Sequence, residues 1–160
     1  MSNCDQRIKS CFFALSLVLV LLPALAQTEE EYNSSRKCCS SEYAGVTYYQ
    51  TGDYVEAEKW FRQAAEQGDA GAQFNLGNMY DIGRGVEQSD AEAVNWYRKA
   101  AEQGHTVAQY SLGEMYYRGR GIPKNNAEAR KWLNLAYAQG FAEAGILLAE
   151  MVLDEQKKGK

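Results

Sequence analysis

The sequence predicts an all-α protein, a solenoid of three antiparallel helix pairs followed by one capping helix. Three observations carry this. First, Trp60, Trp96 and Trp132 stand 36 residues apart, and much else repeats at that interval. Gly77, Met79, Tyr80, Gly83, Arg84 and Gly85 return as Gly113, Met115, Tyr116, Gly119, Arg120 and Gly121. Ala57, Ala64 and Gly68 return twice, as Ala93, Ala100, Gly104 and as Ala129, Ala136, Gly140. Second, the apolar residues inside each unit fall at helical spacing. Third, helix start and stop signals recur at the same places in every unit. A period of this length marks stacked units, none of which buries its apolar face alone. Stacks of this kind usually bind proteins rather than carry out chemistry.

Residues 1–26 are unlike the rest. Arg7 and Lys9 precede an apolar run from Cys11 to Ala26 that Pro23 interrupts. The run is shorter than the ~20 residues a membrane span needs. It ends in Ala24-Leu25-Ala26, a small-x-small cleavage pattern, so it reads as a secretory signal peptide cut before Gln27. The competing reading is an uncleaved anchor. The residue directly after the cut is Gln27 and not a cysteine, which argues against lipid attachment there, and no membrane contact is expected after cleavage. The expected location is the periplasm or the cell exterior. The chain has 17 basic and 21 acidic side chains, a net charge of −4, and losing Asp5, Arg7 and Lys9 makes it one unit more negative. That balance speaks against nucleic acid, which wants a basic face.

Residues 27–40 are polar, lack apolar periodicity and read as a linker. Asn33-Ser34-Ser35 is a glycosylation sequon, relevant only in a eukaryotic secretory pathway. Cys38 and Cys39 stand side by side in an oxidising compartment. Neighbouring cysteines seldom bond to each other. The pair is open to two readings: ordinary thiols near a mobile terminus, or a disulfide to a second chain that makes this an assembly segment.

The repeat region runs from 41 to 160, with units at about 41–69, 70–105 and 106–141 and a capping helix at 142–156. The first helix of each pair spans about 41–50, 70–82 and 106–118. It carries Gly45, Gly77 or Gly113, with Tyr48, Tyr80 or Tyr116 three positions on. A helix-interior glycine costs ~1 kcal/mol against alanine, so its recurrence suggests that two helix backbones cross closely there. The second helix starts at Asp53, Ser89 or Asn125, with Glu56, Glu92 or Glu128 three residues later, a capping-box pattern. It stops at Gly68, Gly104 or Gly140. The loop between the two helices is four residues longer in the second and third units, which adds the turns Gly83-Arg84-Gly85 and Gly119-Arg120-Gly121. Because these arginines are periodic, they are expected to serve the repeat itself, through loop carbonyls or a neighbouring unit's acid. In the last helix Ala144, Leu147, Leu148, Met151 and Val152 form an apolar face suited to cover the third unit.

The segments Ala72 to Tyr80 and Ala108 to Tyr116 (A-Q-x-x-L-G-x-M-Y), the G-x-G turn, and Ala93 to Gly104 (A-x-x-W-Y-x-K-A-A-E-Q-G) resemble the Sel1-like repeat family, a relative of tetratricopeptide repeats. The resemblance covers about 41–160. The first unit departs from it, its shorter loop being closer to a tetratricopeptide unit. The resemblance implies a right-handed superhelix of antiparallel helix pairs and a scaffolding or adaptor role.

No catalytic constellation stands out. His105, the one histidine, lies in a turn and reads as a solvated or capping side chain, and a zinc site would want about four ligands. Ser34 and Lys37 satisfy S-x-x-K but lie in the linker without the companion motifs of serine β-lactamases. No cofactor or metal is expected. The expected function is an exported, non-enzymatic interaction scaffold. A cell-wall or β-lactam hydrolase and a Cys38/Cys39-linked assembly protein are the alternatives.

The resemblance also locates a binding face. In tetratricopeptide-type stacks the first helices line the concave side. Counting three before, one after and four after each helical glycine gives Glu42, Val46 and Tyr49, then Phe74, Asn78 and Asp81, then Tyr110, Glu114 and Tyr117. None of the nine is a lysine or arginine. An exposed, aromatic and acidic stripe is expected, suited to a protein segment carrying apolar and basic side chains.

Overall fold

A computed structural model describes residues 41–158. The leader, the linker, Cys38 and Cys39 lie outside the described residues. Among those described there are seven helices and no strand. They are α1 (residues 41–51), α2 (Tyr54–Glu66), α3 (Ala70–Ile82), α4 (Asp90–Glu102), α5 (Thr106–Arg118), α6 (Asn126–Ala138) and α7 (Ala142–Lys158). From α2 onward each helix packs chiefly on its neighbours in the chain, most closely within the pairs α3/α4 and α5/α6. This is an α-solenoid of antiparallel pairs.

The caps form where the sequence puts them. Asp53, Ser89 and Asn125 accept the backbone N–H of Glu56, Glu92 and Glu128 at 3.3, 3.3 and 3.1 Å. The return bond of a capping box does not form. The N–H groups of the three caps go instead to the carbonyls of Tyr48, Tyr80 and Tyr116, at 3.0, 3.0 and 2.9 Å. One closing bond thus spans the short loop and both long ones, and the four extra residues sit outside the helix–helix contact.

The helical glycines are sockets. A Cβ on Gly45, Gly77 or Gly113 would meet Phe61, Tyr97 or Leu133 at 2.6, 2.7 and 2.8 Å. The expected close approach is therefore mainly between a helix backbone and one large side chain of its pair's second helix. Backbone follows just behind: the carbonyls of Ala93 and Ala129 lie 3.4 and 3.2 Å from the same points at Gly77 and Gly113.

Each later tryptophan reaches into the core before it. Trp96 packs in the cluster built by Ala57, Phe61, Ala64, Leu76 and Met79, and Trp132 in the one around Val94, Tyr97 and Leu112. Both are buried, while Trp60 is only partly so. At the last interface Ala144, Leu147 and Met151 are buried, but Val152, expected on the apolar face, is 41% exposed.

A glutamine ladder joins the units. Buried Gln73 and Gln109 donate to the carbonyls of Ala65 and Ala101 at 3.0 and 3.2 Å, and accept from Gln103 and Gln139 at 2.7 and 2.8 Å. The Ala65 and Ala101 carbonyls also accept the backbone N–H of Gly68 and Gly104, at 3.1 and 3.0 Å, so each glutamine supplies a second bond at the helix end.

Candidate functional site

Four of the nine predicted groove positions come together. Val46, Tyr49, Phe74 and Asn78 line a cavity of about 240 Å³ between α1 and α3, with Gln50, Asn75 and Phe61. Gln50 and Asn75 each stand one residue after a counted position, Tyr49 and Phe74, and so are not among the nine. With Asn78 they set three uncharged amides around an apolar floor. Amides both donate and accept, which suits a peptide backbone.

The positions four after each glycine behave differently. Tyr49, Asp81 and Tyr117 are each engaged by the unit that follows. Arg84 donates to the Tyr49 hydroxyl at 3.1 Å, and its guanidinium lies over the rings of Tyr49 and Tyr54 at 5.9 and 5.4 Å. Arg120 bonds Asp81, and Asp90 at 2.7 Å. Tyr117 donates to Asp154 of α7 at 2.5 Å and carries the Lys124 ammonium 4.5 Å from its ring centre. Its hydroxyl is pushed up to about 12, first by the bond to Asp154 and then by burial. Tyr117 is 6% exposed and belongs to the last core cluster, so the expected exposed stripe stops short of it. The two ion pairs hold the Arg120 guanidinium above its usual range.

The acids of the groove are also less free than expected. Asp81 holds Arg120, and Glu114 pairs with Arg118 at 3.0 Å. The counted positions hold no cation, but the turns and the last helical residues bring cations alongside them. Glu42 is half-buried, its carboxyl raised first by burial and then by Asp69. Tyr110 is half-buried with its ring 5.1 Å from that of Phe141.

His105 caps α5. Its Nδ1 accepts the Ala108 N–H at 3.2 Å, and its ring stacks on Phe74 at 4.8 Å. Burial lowers its pKa, and protonation would remove the lone pair that makes the cap. Asp69, 36 residues earlier, caps α3 through the Ala72 N–H at 2.6 Å. Among the described residues no group of three His, Cys, Asp or Glu could hold a metal, and no helix is long and apolar enough to cross a membrane.

Tandem helix pairs, glycine sockets and a solvent-open groove lined by first helices define a repeat scaffold of the tetratricopeptide type. The Sel1 repeat family matches residues 43–69, 70–105 and 106–141, and the chain belongs to that family. Among solved structures it is similar to a Sel1 repeat protein from Oxalobacter formigenes, with 36% identity and a TM-score of 0.66. That match covers 71% of this chain and 47% of the other. A protective antigen present in uropathogenic Escherichia coli strains matches at 34% identity and TM-score 0.66, over 76% of this chain and 26% of that one. Helicobacter pylori cysteine rich protein B matches at 25% identity and TM-score 0.55, over 57% and 69%. The chain thus spans less than half of the first protein and about a quarter of the second. No curated protein matches it. The Sel1 repeat fold is typically a protein–protein interaction scaffold, and most of its members are not catalytic.

Proposed function

We propose that the chain is an exported, non-enzymatic adaptor that captures a segment of a partner protein in the groove between α1 and α3. The observation that carries this reading is the cavity where Val46 and Phe74 provide apolar floor and Gln50, Asn75 and Asn78 provide amides. An extended segment would place an apolar side chain on Val46 and Phe74 and its backbone against the amides. The chain's net charge of −4 favours basic residues flanking that segment. Export rests on the leader pattern of residues 1–26 and places the encounter in the periplasm or outside the cell.

Cross-linking capture in the native envelope tests it. Gln50→Lys combined with Asn75→Lys should abolish capture while helical circular dichroism and melting point stay at wild type, because both side chains lie on the cavity wall outside the packed core. Capture that persists in the double variant would rule the groove out. Mass spectrometry of the exported protein should find an N-terminus at or within two residues of Gln27; an intact Met1 in the membrane fraction would replace the exported reading with an anchored one.

A further inference from the structure

α7 stands where a fourth pair would have its first helix. Counting 36 residues on from α3 and α5, Ile146, Ala149 and Leu153 fall on the positions of Phe74, Gly77 and Asp81, and of Tyr110, Gly113 and Tyr117. In α3 one side chain of the pair's second helix covers all three. The Tyr97 ring lies 5.7 Å from Phe74 and against Gly77, and its hydroxyl is 3.4 Å from Asp81. In α5 Leu133 fills the same place at Gly113. In α7 this face is open: Ile146 is 70% exposed, Leu153 56%, and Ala142 and Ala149 are exposed too. Three successive positions of this face are aliphatic.

We propose that this face is where two copies of the chain pair, α7 against α7 and antiparallel. Ala142, Ile146, Ala149 and Leu153 step by four, three and four, the seam spacing of paired helices. Running the helices antiparallel sets Ile146 against Leu153 of the second copy, twice, with the small Ala149 near the two-fold axis where backbones approach. The charges fit the same direction. Glu143, Glu150 and Lys157 follow one flank of the seam, and Glu143 and Lys157 lie at opposite ends of it. Antiparallel pairing brings Glu143 to Lys157 of the second copy at both ends, against one like contact between the two Glu150 side chains at the centre. A parallel pairing would bring every one of these charges to the level of its own counterpart. The proposed surface is separate from the groove between α1 and α3, so either reading stands without the other.

Sedimentation equilibrium on the purified protein tests this, with reductant present so that Cys38 and Cys39 contribute no covalent link. The expected result is a reversible monomer–dimer equilibrium. Ile146→Glu with Leu153→Glu should leave only monomer, with an unchanged circular-dichroism spectrum and the melting point that wild type shows when diluted to monomer, because both side chains are exposed. Glu143→Lys alone and Lys157→Glu alone should each weaken the dimer by about tenfold, and the two together should restore it. A wild-type monomer overturns the proposal, as does association that survives Ile146→Glu with Leu153→Glu. Failure of the paired charge exchange to restore the dimer overturns the antiparallel arrangement.

Discussion

The turns at Gly83–Gly85 and Gly119–Gly121 share a sequence and a backbone, yet their arginines hold different partners. Gly85 has φ 73° and Gly121 φ 64°, and a Cβ on either would overlap a carbonyl at the start of the previous unit's second helix, that of Tyr54 or of Asp90. From that common perch Arg84 lies on the rings of Tyr49 and Tyr54, while Arg120 pairs with Asp81 and Asp90. Tyr49 corresponds to Asp81, four after the helical glycine, and Tyr54 to Asp90, 36 residues on. Both partners change together and the guanidinium accepts either set, because it stacks on aromatic faces as readily as it forks to carboxylates. At the third interface the same positions, Tyr117 and Asn126, bond Asp154 and Glu155 of α7. Glycine fixes where the clasp lies. The side chain on it varies with what the neighbouring unit offers.

The largest effects should come from breaking the shared part. Gly85→Ala and Gly121→Ala each put a side chain at positive φ and into backbone, and should each cost about 2–4 kcal/mol in urea melts. Similar losses at both turns would bear out the common backbone role. A neutral substitution at either would separate the two turns.

The variable part should be worth less. Arg120 and its acids are partly exposed, so Arg120→Met should cost only about 0.5–1 kcal/mol, fading as salt rises. Arg84→Met should respond to salt less, because its partners are uncharged rings. Equal salt dependence at the two sites would remove the distinction.

The caps at Asp69 and His105 repeat the lesson with a pH signature. The native state lowers the His105 pKa, so folded protein binds fewer protons there than unfolded protein does. Its stabilisation is present above about pH 6.5, the unfolded value, and is lost as pH falls from there through the folded pKa. Glu42 runs the other way: its raised carboxyl binds more protons when folded, so stability rises as pH falls through its folded pKa. Melting points between pH 7 and 5 in a Glu42→Gln background should therefore fall for His105 and fall less for His105→Asp. A flat profile with His105 present would show that the imidazole cap does not titrate with folding.

These contrasts also separate what the sequence made legible. Asp53, Ser89, Asn125 and the terminal glycines act within one unit, so a period and a spacing are enough to place them. The period of Arg120 points to a neighbouring unit's acid, and the path of the turn decides which acids it meets, 30 and 39 residues away. Tyr117 looked like groove because its cover, Asp154, lies on a helix 37 residues on. The glutamine ladder did leave a signal: Gln73 and Gln109, Gln103 and Gln139 recur at 36 residues. A polar residue as periodic as the core was a sign of a buried hydrogen bond between units.

The division of the first helices into a row that locks neighbouring units and a cavity left for a partner is most directly tested by measuring melting point and envelope capture together on two sets of variants. Asp81→Ala and Tyr117→Ala, in the locking row, should lower the melting point and still capture the partner at temperatures where they are folded. Gln50→Lys with Asn75→Lys, on the cavity wall, should melt like wild type and capture nothing. Capture lost in the folded locking-row variants and kept in the cavity variant would contradict that division.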